Sequence, residues 1–125
     1  MYLTINDAKY EMSTKLIVAK KIESKFKLTI MQIFQKLDSA MIDELLDMVL
    51  ITIAKENDTA LRNDIFETLD YLDLFAYVQE VIVRIMFSGT PEQNEKKLQK
   101  LQGDEAMKNS IREILGMDSA SIGNN

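Results

Sequence analysis

Cysteine and histidine are both absent from this 125-residue chain, and the two absences remove most of the chemistry a small protein could carry. Without cysteine there is no disulfide framework, no thiolate nucleophile and no zinc cluster. Without histidine the usual general base and the commonest transition-metal ligand are missing. Ser-His-Asp and Cys-His catalysis are therefore excluded. No glycine-rich phosphate loop and no EF-hand ligand pattern occurs. Long apolar runs are lacking too. Runs such as Met48-Val49-Leu50-Ile51 fall far short of the roughly 18–20 residues that span a bilayer. The start, Met1-Tyr2-Leu3-Thr4-Ile5-Asn6-Asp7, has no basic segment followed by an apolar one, so no secretory signal is read there. The expectation is a cytoplasmic protein with no membrane role.

What is present is globular usage: 46% apolar and 28% charged residues, enough for one ordinary domain. The net charge of −5 is unevenly spread. Residues 1–37 carry seven Lys against three acids, +4, whereas residues 38–80 carry Lys55 and Arg62 against eleven acids, −9. The remainder is neutral. Such a division can guide a partner or stack copies head to tail, or simply balance two solvated faces.

Residues 2–12 alternate as a β-hairpin, with Asn6-Asp7 as a two-residue turn. The implied register pairs Ile5 with Ala8 and Leu3 with Tyr10 on the apolar face, and Thr4 with Lys9 and Tyr2 with Glu11 on the other. From Thr14 the period becomes helical. Val18, Ile22 and Phe26 form the face of a first helix, and Thr29 caps a short second with Ile30, Ile33, Phe34 and Leu37. Asp38 or Ser39 caps a third, running to about Lys55 and apolar nearly all round, the candidate for the central helix. Asp58 or Thr59 starts a fourth with Leu61, Ile65, Phe66 and Leu69. Asp73 caps a fifth with Leu74, Val78, Val81, Ile82, Ile85 and Met86. Ser88-Gly89-Thr90-Pro91 is the clearest stop, read as a glycine C-cap followed by proline. Residues 92–115 are polar with sparse apolar points and read as a weakly amphipathic, semi-ordered helical tail, and residues 118–125 read as disordered. The expected fold is thus mainly α: a helical bundle with an N-terminal hairpin over 1–90, then a tail over 91–125.

Two carboxylate pairs, Asp43 with Asp47 and Asp70 with Asp73, fall on shared helix faces. Paired acids can bind Mg²⁺ or divide acid–base work, yet the sequence fixes no basic residue beside them. Acids at helix starts follow from capping alone, so no catalytic residue, cofactor or metal ligand is assigned. Lys20, Lys21, Lys25 and Lys27 around Phe26 form a basic face suited to phosphates, but with no Arg for base contacts, and solvated lysines explain it better. In the tail, Leu98, Leu101, Ile111, Ile114 and Leu115 have little nearby to pack on and must fold back or dock on a partner. The candidate partner-binding residues are therefore Asp43, Asp47, Asp70, Asp73 and these five.

The layout resembles the tail assembly chaperones of long-tailed bacteriophages of Gram-positive hosts. Those open with a "hydrophobic-Thr-Ile-Asn-Gly-Lys-hydrophobic" hairpin, matched by Tyr2 through Tyr10 with Asp7 in place of the glycine. Asp38 through Asp47 matches a helix of the type "Asp-x-x-x-x-x-Glu-Leu-Leu", and Asp58 through Phe87 an acidic helix pair. The first helix is more lysine-rich than is usual there. The resemblance implies a non-enzymatic protein that coats the tape measure protein, recruits tail tube subunits and leaves before the virion is complete. Runners-up are a small regulator binding nucleic acid or a transcription factor through the lysine face, and a secretion-type holding chaperone.

Overall fold

Residues 1–117 are described by the computed structural model of the chain. Strands β1 (Tyr2–Ile5) and β2 (Ala8–Glu11) pair antiparallel in the register that the alternation requires, Tyr2 to Glu11 through Ile5 to Ala8. The turn residues Asn6 and Asp7 both take positive φ, 49° and 68°, which a type I′ turn demands and which Asn and Asp tolerate. Leu3 and Ile5 are buried beneath it.

Five helices complete the first of two compact units, Met1–Ile85. Helix α1 (Leu16–Phe26) buries Val18, Ala19 and Ile22 and ends at Lys27, whose φ of 57° turns the chain. The Glu23 carboxylate accepts from the Ile30 N–H at 2.8 Å, tying α1 to α2 (Ile30–Gln35). Thr29 caps α2 through a reciprocal bond pair with Gln32. A 3₁₀ turn at Leu37–Ser39 then buries Leu37. Helix α3 (Ile42–Thr52) is the central one: every residue from Leu45 to Thr52 except Asp47 is buried. Helices α1 and α4 (Thr59–Thr68) both pack on it, and α5 (Tyr71–Met86) buries Leu74, Val78, Val81, Ile82, Val83 and Ile85.

Several local expectations shift. Asp38 and Ser39 do not cap α3; they form the 3₁₀ turn that brings Leu37 inward, and α3 starts after Met41, whose N–H donates to the Glu44 carboxylate at 2.8 Å. Asp58 does cap α4, accepting from the Leu61 N–H at 2.9 Å. Helix α4 stops at Thr68, so Asp70 caps α5 by accepting from the Asp73 N–H, a role expected of Asp73. Gly89 follows α5 but has no positive φ. The Asn94 side chain holds both its N–H and its C=O instead, at 3.0 and 3.1 Å.

The second compact unit starts at Met86. The polar segment forms two helices, α6 (Pro91–Lys100) and α7 (Glu105–Ile114), where a single stretch was expected. Asp104 makes the break, its carboxylate accepting from the Met107 N–H at 2.8 Å. Thr90 and Gln93 form a capping box on α6, with Pro91 at its first position. Gly116, at φ 71°, closes α7. The expectation for residues 118–125 lies outside the described residues.

Candidate functional site

Asp43 and Asp47 do share a face of α3, but a basic residue is fixed beside them. Arg62 of α4 donates from Nη1 to Asp47 Oδ1 at 2.6 Å and from Nη2 to Asp43 Oδ1 at 3.1 Å. The second nitrogen also reaches the Asp43 carbonyl at 3.3 Å. Its bond to Asp47 raises the Arg62 pKa above the ordinary arginine value, against the opposing effect of burial. Lys25 stands 3.7 Å from the other Asp47 oxygen. This pair therefore clamps α4 and α1 to α3, and nothing in residue spacing alone could have placed Arg62 there. Asp70 is occupied as a cap, and Asp73 faces solvent on the α5 side of a shallow cleft with Tyr77 and Glu80. Among the described residues no group of three or more acids is arranged to hold a metal ion.

The five apolar points of the last segment separate into two groups. Leu98 and Ile111 are fully buried, whereas Leu101, Ile114 and Leu115 are half-buried. Helices α6 and α7 are also joined by an ion pair that sequence inspection missed. Arg112 of α7 grips Glu95 of α6 with two bonds, Nε to Oε2 at 2.9 Å and Nη2 to Oε1 at 2.6 Å. Its remaining nitrogen donates to Asn109 at 2.6 Å and Glu105 at 3.4 Å. The bidentate bond lowers the Glu95 pKa below its ordinary value and raises that of Arg112, burial opposing both. Glu95 and Arg112 stand seventeen residues apart, so no helical spacing announces them.

The lysine face is only partly free. Lys21 lies 4.0 Å from Glu56 and Lys25 points at Asp47, while Lys20 and Lys27 are exposed. Phe26 is half-buried over an apolar dimple with Ile33, Leu37 and Met48.

The feature best suited to recognition is one that the helical pattern concealed. Ala40, Met41, Ile42, Phe66 and Tyr71 line an open groove with Asp43 at its edge. Met41 is 69% exposed, Phe66 61% and Tyr71 44%. Leu72, beside Tyr71 in the chain, is 73% exposed, and Tyr71 stacks on Phe75 with ring centroids 6.2 Å apart. The 3₁₀ turn and the early end of α4 create this surface. The one leaves Met41 outside the core as a cap residue, and the other starts α5 with Tyr71 and Leu72 exposed; Phe66, one residue after Ile65 within α4, is turned off the Leu61/Ile65 stripe by the helix period itself. Asp43 is the one charged residue lining the groove, and its carboxylate is bonded to Arg62. The available signal was Phe66 adjacent to Ile65, where a single stripe needs only one of them.

Comparison of the chain with protein-family models, with curated proteins and with solved structures finds no match. Among the described residues no helix is long and apolar enough to cross a membrane.

Proposed function

We propose that this protein is a non-enzymatic, protein-binding assembly chaperone that holds an apolar segment of a helical client in the Met41/Ile42/Phe66/Tyr71 groove. The single observation that carries the reading is the groove itself: large apolar and aromatic side chains kept exposed, with the Asp43–Arg62 ion pair at their side. Clustered exposed apolar residues with a polar rim are the mark of a partner surface, and aromatic anchors supply most of the energy at such surfaces.

The layout of hairpin, short helices and acidic helix pair supports a more specific identity, that of a phage tail assembly chaperone. The client is then the tape measure protein, a long helical chain that must be kept from aggregating, with tail tube subunits recruited to it. The chaperone acts in the host cytoplasm and is absent from the finished virion. Holding by mass action requires no energy-coupling site.

Co-purification from cells expressing the neighbouring genes tests this. The wild-type chain is expected to retain a long helical protein, and Phe66→Glu to retain about tenfold less or lower, with unchanged helical content by circular dichroism. Retention of nucleic acid alone would overturn it in favour of the Lys20–Lys27 face.

A further inference from the structure

Cysteine, histidine and tryptophan, three side chains that oxidants attack, are all absent, so methionine is the chain's only sulfur and its most readily oxidised group. All eight methionines lie within residues 1–117, and their surroundings differ. Met12, Met48 and Met117 are buried, and Met1, Met31, Met86 and Met107 are half-buried. Met41 alone is exposed, at 69%. It is also the one methionine that lines the groove, with Phe66 and Tyr71. This placement follows from the local backbone. The 3₁₀ turn buries Leu37 and delivers Met41 to the position just before α3, where the Glu44 carboxylate holds its N–H at 2.8 Å. The backbone is fixed there while the thioether stays outside the core. A chemical change at this sulfur therefore alters the groove and leaves the packing of α3 intact. Met48, about two turns further along the same helix, is 3% exposed and supplies the contrast.

Resting on the reading of the groove as the client surface, we propose that Met41 is a reversible oxidation site that sets the groove's affinity, with a peroxide as the oxidant. The sulfur attacks one oxygen of hydrogen peroxide with a lone pair, and the O–O bond breaks. Sulfur is oxidised by two electrons to the sulfoxide, and the second oxygen leaves with both hydrogens as water. A flexible apolar side chain becomes a polar one. Against a docked client the sulfoxide oxygen loses the water that solvates it, so the client is held less tightly. A methionine sulfoxide reductase reverses the step. Two thiols supply the two electrons and become a disulfide, and the sulfoxide oxygen departs as water.

The test exposes the full chain to hydrogen peroxide for increasing times and maps it by peptide mass spectrometry. Met41 should gain one oxygen before any other methionine, and about tenfold faster than Met48. Chain oxidised at Met41 should keep its helical content by circular dichroism. Immobilised and mixed with extract of cells expressing the neighbouring genes, it should retain about tenfold less of the long helical protein than untreated chain does. Reductase with a thiol should restore retention. Met41→Leu keeps the apolar surface without the sulfur, so it should bind as wild type does and be indifferent to peroxide. Earlier oxidation of another methionine, a fall in helical content, unchanged retention after oxidation, or a Met41→Leu chain that still responds to peroxide would overturn the proposal. Phe66→Glu judges the groove separately. If it retains as much as untreated wild type, the client reading fails and takes the switch with it. If it retains less but peroxide changes nothing, only the switch is lost.

Discussion

The two compact units are stabilised by different physics. In Met1–Ile85 the centre is α3, whose inward residues are Leu45, Leu46, Met48, Val49, Leu50 and Ile51, and its ion pairs lie at the periphery. In the second unit the helices are mostly polar, and the buried positions include Asn94, Glu95 and Arg112 beside Leu98 and Ile111. An apolar core is non-directional and responds to volume. A buried ion pair depends on geometry and on protonation, and its net worth is the small difference between attraction and desolvation. The difference matters for function as well. The first unit has enough apolar residues to leave Phe66, Met41 and Leu72 outside its core, whereas among the described residues of the second no large apolar side chain is fully exposed.

The strongest way to sharpen that contrast is to cut into the core. Leu50→Ala, at a position with 1% exposure, should destabilise the first unit by about 3 kcal/mol, through lost transfer energy and a cavity that α3 cannot close. Hydrogen exchange at the α3 and hairpin amides measures it, and the penalty should be the same at pH 7 and pH 4. A pH-dependent penalty would show that the peripheral clamp around Arg62 matters more to this core than its burial indicates.

Much of the first unit was legible because its elements are marked by local chemistry. The hairpin register follows from Leu3, Ile5 and Tyr10 alternating around a turn that Asn6 and Asp7 can adopt. The caps at Thr29 and Asp58 and the centrality of α3 follow from residue type and periodicity in the same way. What escaped was tertiary. Arg62 reaching Asp43 and Asp47 joins residues nineteen and fifteen apart. The Asp70 cap depended on where α4 stopped, which the near-continuous apolar pattern through Leu69 and Leu72 disguised. Of the candidate site, Asp43 borders the groove, whereas Leu98 and Ile111 are buried and offer no free surface. The groove's own anchors looked like core, because apolar periodicity does not tell which stripe has a neighbour.

A smaller effect is expected from the second unit's ion pair, and it should carry the opposite signature. Arg112→Ala leaves Glu95 buried without its bidentate partner and should cost about 2 kcal/mol at neutral pH. The sign of the pH dependence follows from the direction of the shift. Arg112 holds the folded-state pKa of Glu95 below the ordinary 4.5, so the unfolded chain takes up its proton first as the pH falls. The stabilisation is fully present above about pH 4.5 and is lost as the pH drops through the depressed folded value. The wild-type protection of α6 and α7 should therefore fall in acid and converge on that of Arg112→Ala.

The smallest expected change tests whether the pair is needed for stability at all. Replacing both partners, Glu95→Leu with Arg112→Met, removes two desolvation penalties together with the attraction they oppose. Asn109 and Glu105, both exposed, return to water when Arg112 is gone, so neither is left as a buried orphan. The double variant should then lie within about 1 kcal/mol of wild type at pH 7, above the single Arg112→Ala, and should lose the acid sensitivity. Exchange rates of the α6 and α7 amides across pH 3–7 decide it. If the double variant is as damaged as the single one, the pair fixes the register between α6 and α7, and Leu98 and Ile111 alone do not specify it.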